Sequence, residues 1–308
     1  LARKTKVEQR REHKDAQMAR LEIELDAVES EPFAKGGKSK VHKAEYHGET
    51  VVLKKIDQAG ITAAERQKML ESFKRELAIM VLLMSPRTVR VLGVVTTDVT
   101  FLGLVMEYCA GGALRHRPAD EGAVITSHQR RTWVSDVAVG MEYLHSQGVE
   151  HRDLKALNVL LTGDDRVKVS DFGLSKCEEL KTATASTISL AGTPAFMAPE
   201  FLDDKPFSKA SDVYSFAIVM WEIWSRQVPW SGLHPMKIMR KVVDKGERPP
   251  APAEMPADLR EIMVRAWASA PADRPSFRKI VAEVQVSTPV STRPAWRGGG
   301  AAELEEKE

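Results

Sequence analysis

Three residues whose side chains carry oxygen donor atoms follow one another at short spacing in the second half of the chain. Asp153 and Asn158 are five residues apart within the sequence HRDLKALN, and Asp171 opens the triplet Asp-Phe-Gly shortly afterwards. Phosphoryl transfer requires carboxylate and amide ligands for Mg²⁺, a cation on the phosphates and a carboxylate near the attacking hydroxyl, because its loose transition state depends on alignment and charge neutralisation. Asp153, Asn158 and Asp171 are the residue types from which such a site would be built.

HRDLKALN followed by Asp-Phe-Gly resembles the catalytic core of the eukaryotic protein kinase family. The resemblance implies that Asp153 orients the acceptor hydroxyl and takes its proton, and that Lys155 lies beside the transferred phosphate. It further implies that Asn158 and Asp171 are Mg²⁺ ligands and that ATP is the phosphate donor. A lone Asp-Phe-Gly would be weak evidence, but the ordered set is not explained by ordinary turns.

The run Val51-Val52-Leu53-Lys54 lies on a predicted strand and resembles the family's Val-Ala-Ile-Lys, which implies that Lys54 holds the α- and β-phosphates. Glu76, on the following predicted helix, is the expected ion-pair partner of Lys54. Glu65 and Glu71 compete for this role. The neighbouring apolar residues of the helix are expected to face the core and so direct Glu76 inward.

The segment AKGGKSKV at 34–41 aligns with the family's phosphate-covering loop Gly-x-Gly-x-x-Gly-x-Val. Gly36 keeps the middle glycine and Gly37 is an additional one, so both are predicted to contact the phosphates. Ala34 and Ser39 replace the outer glycines. Because a Cβ hinders close approach of the backbone to phosphates, we expect these two residues to loosen nucleotide binding or to restrict the loop.

The run FLGLVMEYC at 101–109 resembles the strand that leads into the segment joining two lobes. The resemblance implies that Met106 gates the adenine pocket and that the backbone of Glu107 and Cys109 binds adenine. Val41 and Val52 would cover the adenine ring. For these apolar residues generic core packing is an equal alternative, and the Cys109 thiol is either accessible or packed.

The stretch from Leu174 to Glu200 resembles an activation segment that ends in Ala-Pro-Glu. Its hydroxyl residues predict regulation by phosphorylation through an upstream kinase, with Arg152 as the partner of the added phosphate; they are Thr182, Thr184, Ser186, Thr187 and Ser189.

Two further charged residues are predicted to be structural. Asp212 opens a strongly apolar helix, and its carboxylate is expected to accept backbone amides of the catalytic loop. Arg274 is expected to pair with Glu200 and so hold the loop on the substrate side.

The type of acceptor is indicated by Lys155 and by Gly192-Thr193, which resemble Ser/Thr kinases in which Thr193 braces Asp153 and Lys155. The motifs MEYCAGGAL, VPWSGL and RPSF resemble the tyrosine-kinase-like branch, most members of which modify Ser or Thr. Ser/Thr specificity is therefore favoured, with dual specificity open. Two rival interpretations are a pseudokinase scaffold, supported only by the altered glycine loop, and a kinase of small metabolites, which the hydroxyl-rich activation segment disfavours.

Short strand-like runs precede a helix that begins with the capping box Thr62-Ala63-Ala64-Glu65, and mainly helical periodicity follows Gly111-Gly112. The predicted fold is α+β: a bilobal protein kinase domain at 31–285 with a small antiparallel-sheet lobe at about 31–106, a hinge at about 107–111 and a larger, mainly helical lobe at about 112–285.

The two ends of the chain are predicted to lie outside this domain. Met18, Leu21, Leu25 and Val28 recur at helical spacing among charged residues, which predicts a solvated helical leader over 1–30, with a coiled-coil or docking segment as the alternative. Residues 286–308 combine Pro, Gly, Ser/Thr and acidic residues and are predicted to be disordered.

The bulk composition narrows the choice of partners. The 45 basic and 43 acidic residues nearly cancel, which argues against nucleic acid as a partner. The two cysteines are far apart and have no metal-ligand spacing, and no apolar run reaches the roughly 20 residues of a membrane span. We expect a cytoplasmic enzyme whose partners are ATP and a protein substrate.

Overall fold

The computed structural model describes residues 21–36, 39–98, 100–119, 125–172 and 193–286. Within them a small lobe built on a β-sheet precedes a larger lobe built on helices. The α+β architecture and the bilobal arrangement predicted from the sequence are therefore confirmed.

The strands of the small lobe are β1 (Ala27–Val28), β2 (Ala34–Gly36), β3 (Ser39–Tyr46), β4 (Glu49–Asp57), β5 (Val91–Val95) and β6 (Phe101–Glu107). They form an antiparallel sheet in the order β1-β3-β4-β6-β5, with β2 also paired to β3. His47 and Gly48 join β3 to β4 with φ of 52° and 74°, as a tight hairpin turn of the I′ type requires.

Helix α1 (Ala63–Met80) packs on the inner face of this sheet. It begins at the predicted capping box, where the Glu65 N–H donates to Thr62 Oγ1 at 3.3 Å and the Thr62 N–H donates to Glu65 Oε2 at 2.8 Å. The residues at positions 69, 73, 77 and 80 are buried, since a spacing of three or four places them on one side of the helix.

The large lobe is organised around one long apolar helix, whose residues from Ser211 to Trp224 are all buried. Its helices are α2 (His116–Ala119), α3 (Ser127–Ser146), α4 (Pro199–Leu202), α5 (Lys209–Ser225), α6 (Pro235–Met239), α7 (Ala257–Ala266) and α8 (Phe277–Val286). The long apolar helix is α5. Helix α3 packs against α5 and α8 and is followed by Gly148, whose φ of 74° lies in the left-handed region that commonly ends a helix.

A second sheet lies where the two lobes meet, with strands β7 (Gly112–Ala113), β8 (Val159–Leu161) and β9 (Val167–Val169). Their order in the sheet is β7-β8-β9, and β8 and β9 form a hairpin around Gly163. The Val89 N–H donates to the Val169 carbonyl at 2.8 Å, and the Val169 N–H donates to the Arg87 carbonyl at 2.9 Å. These bonds tie the segment before β5 to the large lobe.

The predicted helical leader is wrong for its described part, because residues 21–28 are extended and belong to the small lobe. Leu21, Ile23 and Leu25 alternate with acidic residues, so the same stretch also carries the period of two that is typical of a strand. The domain therefore begins before the predicted boundary at residue 31. Residues 1–20 and the predicted disordered tail beyond Val286 lie outside the described residues.

Among the described helices, none combines the length and the apolar character that a membrane span would need.

The predicted pair of Arg274 and Glu200 is confirmed and is buried. Arg274 Nη1 donates to Glu200 Oε1 and Nη2 donates to Oε2, both at 2.7 Å, and the two side chains are 0% and 8% exposed. Burial opposes ionisation of Glu200, but the hydrogen bonds and charge of Arg274 outweigh it and lower the pKa of Glu200.

A second buried acid, Glu222 on α5, lacks comparable compensation. Its side chain is 2% exposed, and Arg115 Nη1 lies 3.1 Å from Oε1. Burial raises the pKa of Glu222 to about 7, while the positive charge of Arg115 acts in the opposite direction.

Replacement of Arg274 by Ala should lower the free energy of unfolding by about 3–5 kcal/mol, because it leaves the Glu200 carboxylate buried without its bidentate partner. Urea unfolding of the purified chain measures this value. Lys205→Ala is the matched control, since it removes an exposed, solvent-screened pair with Asp203 and should change the free energy of unfolding far less than Arg274→Ala does. Equal effects of the two substitutions would contradict the prediction.

The raised pKa of Glu222 should make stability fall as pH increases. Between the ordinary pKa of 4.5 and about 7, the folded state holds a proton on Glu222 that the unfolded state has released. The free energy of unfolding therefore decreases as pH rises through this window and becomes constant above it. Glu222→Gln should flatten the pH dependence of urea midpoints measured between about pH 5 and about pH 8, whereas Glu261→Gln, at an exposed position of α7, should not. Parallel curves for wild type and Glu222→Gln would rule the titration out.

Candidate active site

The catalytic-loop segment HRDLKALN is held by hydrogen bonds to the carboxylate of Asp212, which lies in the first turn of α5. The N–H groups of His151 and Arg152 donate to its two oxygens, each at 2.9 Å, and His145 Nε2 lies 2.8 Å from Oδ2. Asp212 is fully buried, so these contacts have no competition from water. The predicted structural role of Asp212 is confirmed.

Asp153, Lys155 and Asn158 form one connected cluster. Lys155 Nζ donates to Asp153 Oδ2 at 2.7 Å. Asn158 Nδ2 donates to the same oxygen at 3.0 Å and to the Asp153 carbonyl at 2.8 Å. A short 3₁₀ helix, Ala156–Asn158, makes this convergence possible because it folds Asn158 back over the residue five positions before it.

Asp171 lies next to this cluster through its neighbour Ser170. The Ser170 N–H and hydroxyl both donate to the Asn158 carbonyl, at 2.8 and 3.0 Å. Asp171 adopts a φ of 59°, a region that non-glycine residues seldom occupy and that is common at functional sites.

The ammonium of Lys54 on β4 lies 2.7 Å from Asp171 Oδ1 and so links the small lobe to the large one. Burial by itself would raise the pKa of Asp171, but the charge of Lys54 and its hydrogen bond more than offset that effect, so the pKa is lowered. Asp171 is thereby kept as a carboxylate in the resting site.

The ion pair that the structure gives Lys54 is thus with Asp171 rather than with Glu76. Glu76 is half-buried on α1 and has contacts of its own. The ion pair of Glu76 with Lys54 therefore stays a prediction, and it applies to a different arrangement of the site.

The donor set of the cluster fits Mg²⁺. Both donated bonds of Asn158 Nδ2 go to Asp153, which leaves the amide oxygen of Asn158 for a cation. Asp171 supplies a carboxylate oxygen beside it. Mg²⁺ in nucleotide sites is held by one or two such protein oxygens together with substrate phosphates.

The phosphate-covering loop is described up to Gly36, the last residue of β2, whose backbone pairs with Ser39. Ala34 pairs with Val41 in the same ladder, so the two residues lie opposite each other on β2 and β3. Gly37 lies outside the described residues. Val52 is buried and Val41 is half-buried, and their contact with the adenine ring stays a prediction.

The hinge is tied to both lobes through the side chain of Glu107. Lys168 Nζ on β9 donates to both Glu107 oxygens at 2.7 and 2.8 Å, and the Arg90 N–H donates to Oε1 at 2.6 Å. Met106, one residue earlier, is buried opposite Val52 and Val91.

Cys109 is buried in the main core. Burial, with a smaller contribution from the negative charge of Glu107, raises the pKa of its thiol to about 11. The interpretation as an accessible thiol is therefore wrong, and the packing alternative is correct for this side chain.

Two partly exposed apolar residues that adjoin the predicted site residues in sequence were not identified from the motifs. Phe33, immediately before the loop, is 52% exposed and meets the Tyr108 ring edge-on with centroids 6.5 Å apart. Leu160 is half-buried between the buried Val159 and Leu161 of β8 and packs against the main core. The available signals were the position of Phe33 next to the glycine pattern and the position of Leu160 two residues after Asn158.

The residues predicted to regulate the site are only partly described. The Arg152 guanidinium donates from Nε and Nη2 to Glu150 Oε2, at 3.1 and 3.0 Å, and lies over the ring of Phe207. The five predicted hydroxyl sites and Gly192 fall outside the described residues, as does the side chain of Thr193, whose backbone begins a 3₁₀ turn.

Comparison with known proteins places this geometry in a family. Residues 28–284 match the family model for protein tyrosine and serine/threonine kinases. The chain is 35% identical over 254 residues to serine/threonine/tyrosine-protein kinase HT1 of Arabidopsis thaliana, covering 82% of this chain and 64% of that protein. It is 38% identical over 256 residues to serine/threonine-protein kinase CTR1 of the same plant, covering 82% and 30%.

A third relative is mitogen-activated protein kinase kinase kinase 12 of Rattus norvegicus, which is 31% identical over 278 residues, with 90% of this chain and 29% of that protein covered. The chain therefore spans between about a third and two thirds of the length of these curated relatives.

Proposed function

This chain belongs to the protein tyrosine and serine/threonine kinase family, of the tyrosine-kinase-like type, and we propose that it transfers the γ-phosphoryl group of ATP to Ser and Thr hydroxyls of proteins. The observation that carries the proposal is the convergence of Lys155 and Asn158 on the carboxylate of Asp153. That convergence presents a carboxylate, a cation and an amide in one place, which is what transfer to a hydroxyl requires.

Each of these residues then has a role that follows from its contacts. Asp153, 34% exposed, orients an incoming hydroxyl and accepts its proton. Lys155, which already lies 2.7 Å from Asp153, neutralises negative charge that develops beside it. Asn158 and Asp171 would hold Mg²⁺. When bound, ATP would supply the phosphoryl group and Mg²⁺ would neutralise negative charge on its phosphate oxygens.

Lys54 must change its partner for this chemistry. In the resting site the Lys54 ammonium is paired with the Asp171 carboxylate. That carboxylate is the one that we assign to the metal. We infer that Lys54 moves onto the phosphates and Glu76 becomes its partner, since a metal ion would replace the ammonium as the counter-charge of Asp171.

Ser and Thr are the proposed acceptors. The position of Lys155 against Asp153 supports this choice, as do the printed names of relatives, which include serine/threonine-protein kinase CTR1. The name of HT1 also includes tyrosine, so acceptor choice has to be measured.

Regulation by phosphorylation within 182–189 is part of the proposal. Arg152 adjoins the catalytic residue Asp153, and its guanidinium is partly exposed at 27%. A phosphate could displace the single carboxylate of Glu150 because its charge is larger and it offers more acceptor oxygens.

A cytoplasmic location is likewise proposed, and it is supported by the free thiol of Cys109.

Asp153→Asn should lower kcat for transfer to a generic protein substrate by about 10²–10⁴-fold, because the proton acceptor is lost. ATP affinity should stay close to that of the wild type. Both are measurable with labelled ATP and Mg²⁺, and Asp164→Asn, at an exposed turn, is the matched control. Full activity in Asp153→Asn would place the chemistry elsewhere, and wild type that binds ATP without any transfer would indicate a scaffold.

Replacing Thr182, Thr184, Ser186, Thr187 and Ser189 together by Ala should abolish any increase in transfer rate that follows preincubation with ATP. Time courses before and after preincubation measure the effect, with phosphosite mapping on the same samples. Thr50→Ala, an exposed hydroxyl on β4, is the control. A five-residue variant that gains rate as the wild type does would disprove regulation at these sites.

A further inference from the structure

The extended segment at 21–28, which we call the strap, crosses the outer face of the small-lobe sheet. We propose that the strap is a positioning element for nucleotide binding: it holds strand β4 so that Lys54, on the opposite face, is presented to the phosphates. This inference rests on the proposed role of Lys54 in the kinase reaction.

One end of the strap is anchored on β5, at one edge of the sheet. The Ile23 N–H donates to the Val94 carbonyl at 2.9 Å, and the Val94 N–H donates to the Leu21 carbonyl at 2.8 Å. The Glu22 carboxylate accepts from the Thr96 N–H at 2.5 Å and from the Thr96 hydroxyl at 2.7 Å. This end is therefore held by backbone and side-chain bonds together.

The other end is anchored on β3, near the opposite edge. Ala27 and Val28 form strand β1 and pair with Glu45 and Ala44. The Asp26 N–H donates to the Glu45 carbonyl at 2.9 Å. Between the two anchors the chain must pass over β6 and β4, because those strands separate β5 from β3 in the sheet.

The strap connects its two anchors with few residues. Four residues, 23–26, separate Glu22, which bridges to Val94 on β5, from Ala27, which pairs with Glu45 on β3. Because so few residues have a limited reach, displacement of one anchor is passed to the other.

The strap also covers an apolar cluster that sits on the back of the catalytic strand. Ile23 and Leu25 pack on a cluster formed by Ala44, Val51, Leu53 and Val105. Leu53 and Val105 are 1% and 0% exposed, and they pair with each other across β4 and β6. Lys54 and Met106 are their immediate neighbours on the same two strands and point to the other face, since strand side chains alternate.

Gly93 on β5 shows that this packing is close. A Cβ at Gly93 would lie 2.5 Å from the Leu21 carbonyl oxygen and 2.9 Å from Ile23 Cγ2. No φ in the left-handed region requires glycine here, so the missing side chain serves the approach of the strap. Any residue larger than glycine must push the strap off its anchor.

Gly93→Ala is therefore the first test. Hydrogen exchange should increase at 21–28 and along β4, and the affinity for Mg²⁺-ATP measured by calorimetry should fall about fivefold or more. The KM for ATP should rise by a similar factor, while kcat at saturating ATP changes little. Gly163→Ala is the matched control, because its added Cβ would meet only Ala110 Cβ at 4.0 Å.

The second variant leaves Gly93 intact and removes the β5 anchor. Glu22→Ala should loosen the strap and weaken ATP binding in the same direction, whereas Glu24→Ala, an exposed neighbour, should do neither. This pair keeps the test valid even if Gly93→Ala folds poorly.

A double-mutant cycle with Lys54→Met separates positioning from general stability. If the strap acts through Lys54, Glu22→Ala should cost much less ATP affinity in the Lys54→Met background than in the wild type. Equal losses in both backgrounds, or a released strap with unchanged ATP affinity, would overturn the inference. Because calorimetry needs no phosphate transfer, a chain that binds ATP without transfer would defeat the proposed function and leave this test intact.

Discussion

The carboxylate of Asp212 is the contact on which the geometry of the active site depends. It comes from the central buried helix of the large lobe and accepts the N–H groups of two successive residues, His151 and Arg152. Arg152 has a φ of 68°, a conformation that a residue with a side chain adopts only when its surroundings impose it. The carboxylate imposes it, and the chain leaves that turn with Asp153 directed towards Lys155 and Asn158.

A second constraint joins the lobes. Asp171 also has a positive φ, and its carboxylate meets Lys54 from the opposite lobe. The pair of Glu107 and Lys168 and the backbone bonds between Val89 and Val169 cross the same boundary. The reaction proposed above uses both groups of the Lys54 pair elsewhere, so we propose that this contact opens when nucleotide and metal bind.

The small lobe is covered on both faces. Helix α1 lies on the face that bears Lys54, and the strap lies on the other, so strand β4 is packed from two sides. Such two-sided packing restricts the strand more than one covered face could, because side chains on both faces lose freedom to move. The kinase domain consequently includes residues that a reading based on catalytic motifs leaves outside.

The sequence by itself determined the local features and the ordered motifs. The capping box at Thr62, the hairpin around Gly163, the helix stop at Gly148, and the contacts of Asp212 and of Arg274 with Glu200 were all predictable, because each depends on short-range chemistry or on a motif of constant spacing. The grouping of Asp153, Asn158 and Asp171 followed from the same motifs.

Only the tertiary structure decided which distant groups meet. The apolar residues of the strap fit both the helical and the strand period. Backbone hydrogen bonds to Val94 at the sheet edge stabilise the extended conformation. The sequence offers several candidate carboxylates for Lys54, and the arrangement of the lobes pairs it with Asp171 rather than with Glu76. Burial of Cys109 and the raised pKa of Glu222 likewise depend on what covers them. Periodicity and spacing describe neighbours along the chain, whereas pairing and desolvation depend on neighbours in space.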